Sequence, residues 1–194
     1  MRIAVYGAGG VGGYFGGRLA EGGAEVHFIA RGAHLQAFRD RGLRVRSANG
    51  DFEVQAPATD DPADVGACDF VLFCVKTFDT DAAAARLGPL VGEGTAVVSL
   101  QNGVENEEKL ARAVGEDHVM GGAAFIFAEI AEPGVILHTG GPASITFRSS
   151  TATPAGGRSA CSRAASRPIS RRTCRRASRP CYGPSSPSSA RRPA

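Results

Sequence analysis

The chain has 194 residues, enough for one full domain and a fragment of another, and its formal charge of +3 hides a break. Residues 1–147 hold 11 Lys and Arg against all 19 Asp and Glu, whereas residues 148–194 hold 11 Arg and no acid. No apolar run approaches a membrane span, the apolar start meets glycines too early for a secretory signal, and five cysteines without C-x-x-C or His/Cys ligand spacing indicate free thiols in a reducing cytoplasm rather than a disulfide or metal framework.

The predicted elements begin with a strand at Ile3-Ala4-Val5-Tyr6, an unbroken apolar run of the kind buried on both faces of a parallel sheet. Gly7-Ala8-Gly9-Gly10-Val11-Gly12 follows at once, a G-x-G-x-x-G placed between a strand and a helix. In that position Gly7 permits the tight turn, Gly9 leaves room for a diphosphate against the backbone, and Gly12 lets the helix lie close to the strand. The helix is predicted over residues 12–21, with Phe15, Leu19 and Ala20 at helical spacing and Gly22-Gly23 as the stop. A second strand over residues 25–30 ends on Arg31. The residue closing this strand meets the adenosine ribose of a bound dinucleotide, and a guanidinium pairs with a 2′-phosphate where a carboxylate would bond a free 2′-hydroxyl. Arg31 therefore favours NADP over NAD; the plainer alternative is an exposed arginine among twenty.

A helix is predicted over residues 32–41, then a hairpin of strands 43–47 and 52–55 around Asn49-Gly50, an insertion in a plain nucleotide-binding sheet. Residues 69–75 read as a buried strand, 80–90 as a helix, and 95–100 as a strand. Asn102-Gly103-Val104-Glu105 matches a capping box for a helix reaching Val114. Strands over 119–128 and 135–147 complete the pattern, punctuated by Pro133-Gly134 and Gly140-Gly141-Pro142. Strands alternating with helices predict an α/β fold, a Rossmann-like doubly wound, mostly parallel sheet with an inserted hairpin, taking ligands at the carboxyl ends of its strands.

Lys76 and Asn102 each follow a buried strand and so stand at that edge. Lys76 is either a crevice cation or a solvated lysine; Asn102 is a helix cap, a ligand contact, or both. Lys109, four residues after Glu105, is predicted to pair with it. The four histidines lack a shared spacing and read as individually satisfied or solvent-facing.

These residues resemble the 2-dehydropantoate 2-reductase (ketopantoate reductase) family. The resemblance covers residues 1–147 and rests on Gly7 to Gly12, Arg31, the Asn49-Gly50 hairpin, Val75-Lys76, Gln101-Asn102-Gly103 and Met120-Gly121. It implies NADPH-dependent reduction of ketopantoate to pantoate, towards pantothenate and coenzyme A. It also implies that Gly7, Ala8, Gly9, Gly10, Val11 and Gly12 hold the diphosphate, Arg31 the 2′-phosphate, Lys76 the cofactor site, and Asn102 both the cofactor and a small keto acid substrate. The family's proton-donating lysine and a carboxylate belong to a C-terminal helical domain; this chain has no lysine after Lys109 and no acid after Glu132, so no catalytic residue is assigned and that domain is expected to be absent.

Residues 1–147 are thus read as an NADP-binding domain and 148–194 as a separate tail. The tail's 47 positions include 11 Arg, 11 Ser, 8 Ala and 6 Pro, too little apolar surface to offset the entropy of ordering. It is expected to be disordered. Out-of-frame GC-rich codons spell Arg, Ser, Pro and Ala, so a frameshift near Phe147-Arg148 is our hypothesis; it fails if no alternative frame downstream of codon 147 encodes a helical, acid-containing continuation. Alternatively the tail binds nucleic acid through charge alone, without specificity because Tyr182 is its single aromatic. A further alternative is a cofactor-binding sensor without turnover. Loss of a covering domain predicts self-association.

Overall fold

The structure, a computed structural model, describes residues 1–103 and 105–149. The expected tail from residue 150 onward, with its predicted disorder, lies outside the described residues, as does Val104 of the expected capping box. In chain order the elements are β1 (Arg2–Tyr6), α1 (Gly10–Glu21), β2 (Glu25–Ile29), α2 (Gly32–Arg41), β3 (Leu43–Ser47), β4 (Phe52–Val54), β5 (Ala58–Thr59), β6 (Phe70–Phe73), α3 (Thr80–Ala84), β7 (Ala96–Ser99), α4 (Asn106–Val114), β8 (Val119–Glu132) and β9 (Val135–Ser149).

The nine strands of the described residues form one sheet in the order β4-β3-β9-β8-β7-β6-β1-β2-β5. From β8 to β5 every neighbour is parallel, while β8 with β9 and β3 with β4 are antiparallel. The predicted α/β class and mostly parallel sheet describe this arrangement. The apolar run of β1 explains itself through its two faces. Ile3 and Val5 enter one core cluster with Phe28, Leu43, Val45 and Ile136, and Ala4 and Tyr6 enter another with Phe73, Val97 and Leu110.

The Asn49-Gly50 hairpin forms, but its place was not legible. β3 pairs in parallel with β9, with Val45 opposite Ile136, so the hairpin closes the far edge of the sheet. The sheet thereby curls around α1, which packs on β1 and β2 from one side and on β8, β9, β3 and β4 from the other. A helix enclosed in this way needs small residues. A Cβ on Gly10 would overlap the Ala128 carbonyl, one on Gly13 would lie 2.7 Å from Ile136, and one on Gly17 would lie 2.9 Å from Leu43.

Several boundaries differ from expectation. α1 starts at Gly10, two residues before the predicted start, because Gly9 already occupies the N-cap. The helix expected over 80–90 is only Thr80–Ala84, followed by a 3-10 turn at Gly88–Leu90 where Gly88-Pro89 interrupts the α pattern. β9 extends to Ser149, two residues past the expected domain limit. Within it, Gly140-Gly141-Pro142 does not end the strand; the register against β8 jumps between Phe125↔Ser144 and Phe127↔Gly140, and Ala143 takes a positive φ of 46°.

Candidate functional site

At the carboxyl ends of β1, β2 and β6 an open groove of about 390 Å³ is lined by Gly7, Ala8, Gly9, Arg31 and His34, together with Asp79 and Arg86. The glycine turn forms its floor. Gly7 has φ +98° and approaches the Val75 nitrogen so closely that an added Cβ would lie 2.9 Å away. Gly9 is different: nothing stands within 4 Å of a Cβ built there, so this flank of the backbone is open. Gly12 is pressed against the Gly7 carbonyl, with Val5 2.9 Å from its Cβ position. The α1 ladder begins with the Gly13 N–H donating to the Gly9 carbonyl at 2.7 Å, which leaves the N–H groups of Gly10, Val11 and Gly12 ahead of the ladder and available to an anion.

Arg31 stands at the N-cap of α2 without capping it through its side chain. The side chain is 73% exposed, and its Nη2 donates to the Asp79 carboxylate at 3.0 Å. This pair was not foreseen, since Asp79 belongs to a 3-10 turn at Thr77–Asp79, 48 residues further on. Arg86 also faces the groove and contacts Asp61 at 3.4 Å. The groove therefore carries both signs of charge.

Lys76 is exposed at the start of the same 3-10 turn, and among the described residues it makes no ion pair. Asn102 is exposed after β7. The two segments are tied together, because the Thr77 hydroxyl donates to the Asn102 carbonyl at 3.0 Å. Behind them lies a buried polar chain that the sequence did not reveal. Gln101 Nε2 donates to the Val75 carbonyl at 2.9 Å and to Thr80 Oγ1 at 2.7 Å, and Thr80 Oγ1 in turn donates to Asn106 Oδ1 at 3.4 Å. Gln101, Thr80 and Asn106 are all buried. The available signal was three polar residues next to strand and helix ends, but their convergence depends on β6 and β7 being neighbours.

The capping box is corrected here. α4 begins at Asn106 with Glu105 as N-cap and no side-chain capping bond. Gly103 takes φ +117°, which turns the chain out of helical geometry, and Asn106 Nδ2 instead reaches back to the Asn102 carbonyl at 2.9 Å. The Asn102 side chain is consequently not spent on a cap. Lys109 is corrected likewise: its Nζ pairs with Asp81 at 3.0 Å rather than with Glu105, because α3 packs alongside α4.

Each histidine has its own partner, as the plain reading expected. His27 contacts Glu25, His118 the Thr95 carbonyl, His138 both Ser47 and the Gly140 carbonyl, and His34 the Ala8 carbonyl and the Gly134 N–H. Cys68 and Cys74 are free thiols; burial pushes the Cys74 thiol up to about 12, which makes it a poor nucleophile at neutral pH. Among the described residues no cluster of ligating side chains could hold a metal ion, and no helix is long and apolar enough to cross a membrane.

Residues 3–151 match the family model described as Ketopantoate reductase PanE/ApbA. The chain belongs to that family. Among ketopantoate reductase relatives, the 2-dehydropantoate 2-reductase of Halobacterium salinarum is 40% identical over 143 residues, 73% of this chain and 47% of that protein. A PanE/ApbA family ketopantoate reductase from Ralstonia eutropha JMP134 superimposes with a TM-score of 0.69 at 42% identity, covering 72% of this chain and 47% of its own. The 2-dehydropantoate 2-reductase from Geobacter metallireducens GS-15 gives a TM-score of 0.71 at 38% identity, covering 77% and 49%. The chain thus spans about half the length of the ketopantoate reductases it matches. D-mandelate dehydrogenase, solved as a ternary structure with NADH, shares the fold at 24% identity and a TM-score of 0.68.

Proposed function

We propose that this chain is the nucleotide-binding part of a reductase that uses NADPH to reduce a small 2-keto acid, 2-dehydropantoate being the substrate its relatives are named for. The single observation behind this reading is the glycine turn, with Gly9 open to the groove and the first N–H groups of α1 unused beside it. The residues suit a dinucleotide. Gly7, Ala8, Gly9, Gly10, Val11 and Gly12 would hold the diphosphate through backbone donors, and Arg31 on the rim would take the 2′-phosphate once released from Asp79. Lys76 and Asn102, held side by side by Thr77, would line the reacting end, with Asn102 reaching both cofactor and keto acid. When bound, the nicotinamide supplies the hydride; this chain's contribution is to orient it and to keep a cation near the reacting carbonyl.

Calorimetric titration of the full chain with NADPH and NADH tests the reading. Binding with NADPH favoured by about tenfold is expected, the value of one charge-assisted contact. A folded chain that binds neither nucleotide overturns it. A ketopantoate reduction assay alongside separates an enzyme from a sensor. Because Lys76 and Lys109 are the chain's two lysines, binding with little or no turnover is the expected result. Phe125 and Phe127 are exposed on β8, which supports self-association, measurable by sedimentation.

A further inference from the structure

His34 lies in the first turn of α2, half-buried at the groove beside Ala8, with its ring set edgewise to Phe38 at 4.9 Å between centroids. Its two ring nitrogens serve opposite functions. Nε2 is 2.8 Å from the Ala8 carbonyl oxygen, and a carbonyl can only accept, so Nε2 carries the proton. Nδ1 accepts the Gly134 N–H at 3.0 Å, so it presents a lone pair. Only the neutral Nε2–H tautomer satisfies both contacts.

The three residues come from distant parts of the chain, and the Gly134 end is firmly seated. The Pro133 carbonyl accepts from Arg41 Nη2 at 3.3 Å, the Gly134 carbonyl accepts from the Arg44 N–H at 2.9 Å, and a Cβ on Gly134 would fall 2.9 Å from that of Ala37. At the other end, Ala8 and Gly9 form the peptide that enters α1. A trans peptide points its C=O and N–H in opposite directions, so a carbonyl held by His34 fixes the direction of the Gly9 N–H. No cis peptide interrupts this geometry among the described residues.

We propose that His34 is a positioning residue for the diphosphate site: by binding the Ala8 carbonyl with one nitrogen and the Gly134 amide with the other, it orients the Ala8–Gly9 peptide and so fixes the Gly9 N–H, next to the donors opening α1, for an incoming diphosphate. The proposal rests on the nucleotide-binding reading above and refines it. It concerns the diphosphate common to NADPH, NADH and ADP-ribose, and not the 2′-phosphate that distinguishes NADPH.

The test is calorimetric titration of the full chain and of two variants with NADPH, NADH and ADP-ribose, with circular dichroism melts to establish folding. His34→Phe keeps the ring and loses both bonds; affinity is expected to fall about tenfold for all three ligands alike. His34→Gln carries one donor and one acceptor and is expected to recover to within about threefold of the parent. In the parent, two-bond nitrogen–proton correlations should report the Nε2–H tautomer. Equal affinities for the parent and His34→Phe would overturn the proposal while leaving nucleotide binding intact. A loss confined to NADPH, or a loss that His34→Gln does not rescue, also overturns it. A parent chain that binds none of the three overturns the nucleotide-binding reading itself, and the role of His34 falls with it.

Discussion

The glycine turn between β1 and α1 and the segment carrying Lys76 and Asn102 stand at the same carboxyl edge of the sheet, yet they are built by different means. The first is a backbone device: its shape follows from Gly7 at φ +98° and from Gly12 packed against Val5 and Cys74. The second is held by side chains, through Gln101, Thr80, Asn106 and Thr77, which connect residues 21 to 26 positions apart. A backbone device tolerates no added atom, whereas a side-chain network fails when a donor is removed. The two halves should therefore respond differently to substitution.

Gly12→Ala should have the largest effect. The new methyl overlaps the Gly7 carbonyl and must push α1 away from the sheet, costing about 3 kcal/mol and shifting the urea midpoint with little change in slope. Gln101→Leu comes next, at about 2 kcal/mol, because the half-buried Val75 carbonyl and the buried Thr80 hydroxyl lose their donor. It also sharpens the contrast: hydrogen exchange at Thr77 and Asn106 should speed up and NADPH binding should weaken, while ADP-ribose, which stops short of the nicotinamide end, should bind unchanged.

Arg31→Ala should lower NADPH affinity about tenfold without altering NADH affinity, as measured by fluorescence titration. Asp79→Asn should do the reverse on a smaller scale. It frees Arg31 from a partner at 3.0 Å and removes a negative charge from the groove, so NADPH binding should tighten about threefold, with stability changed by less than about 0.5 kcal/mol for so exposed a pair. Unchanged NADPH binding in Arg31→Ala would detach this arginine from any 2′-phosphate.

The smallest effect is on pH. Burial pushes the His34 imidazole below its ordinary 6.5, outweighing the bond to Ala8 that acts to raise it. A depressed folded value means that the unfolded chain takes up the proton first as pH falls. This contribution to stability is complete above pH 6.5 and is lost as pH drops from there through the lower folded value. His34→Phe should flatten that part of the stability profile, measured by denaturation at pH 7 and pH 5. An identical slope in both proteins would assign the pH dependence to other groups.

Much of the glycine half was legible because its information is local. Strand, turn, helix and second strand follow one another within 31 residues, and each glycine's role is set by neighbours in sequence or by the adjacent strand. The other half was legible only as positions. Lys76 and Asn102 stand at strand ends, but of the two roles open to Asn102 the helix cap fails, because Asn-x-x-Glu spacing is silent about the left-handed turn at Gly103. Sequence spacing pairs Lys109 with Glu105, whereas Asp81 on the neighbouring helix is its partner in the fold.

By itself the sequence determined the α/β class, the open backbone at Gly9, and a cation at the end of β2, since strand periodicity and glycine stereochemistry act over a few residues. Tertiary structure alone decided that the Asn49-Gly50 hairpin closes the sheet beside β9 around α1, that Asp79 holds Arg31, and that His34 joins Ala8 to Gly134. Those contacts link residues 26 to 100 positions apart or depend on which strands are neighbours, and strand order emerges only when the whole apolar surface is buried at once.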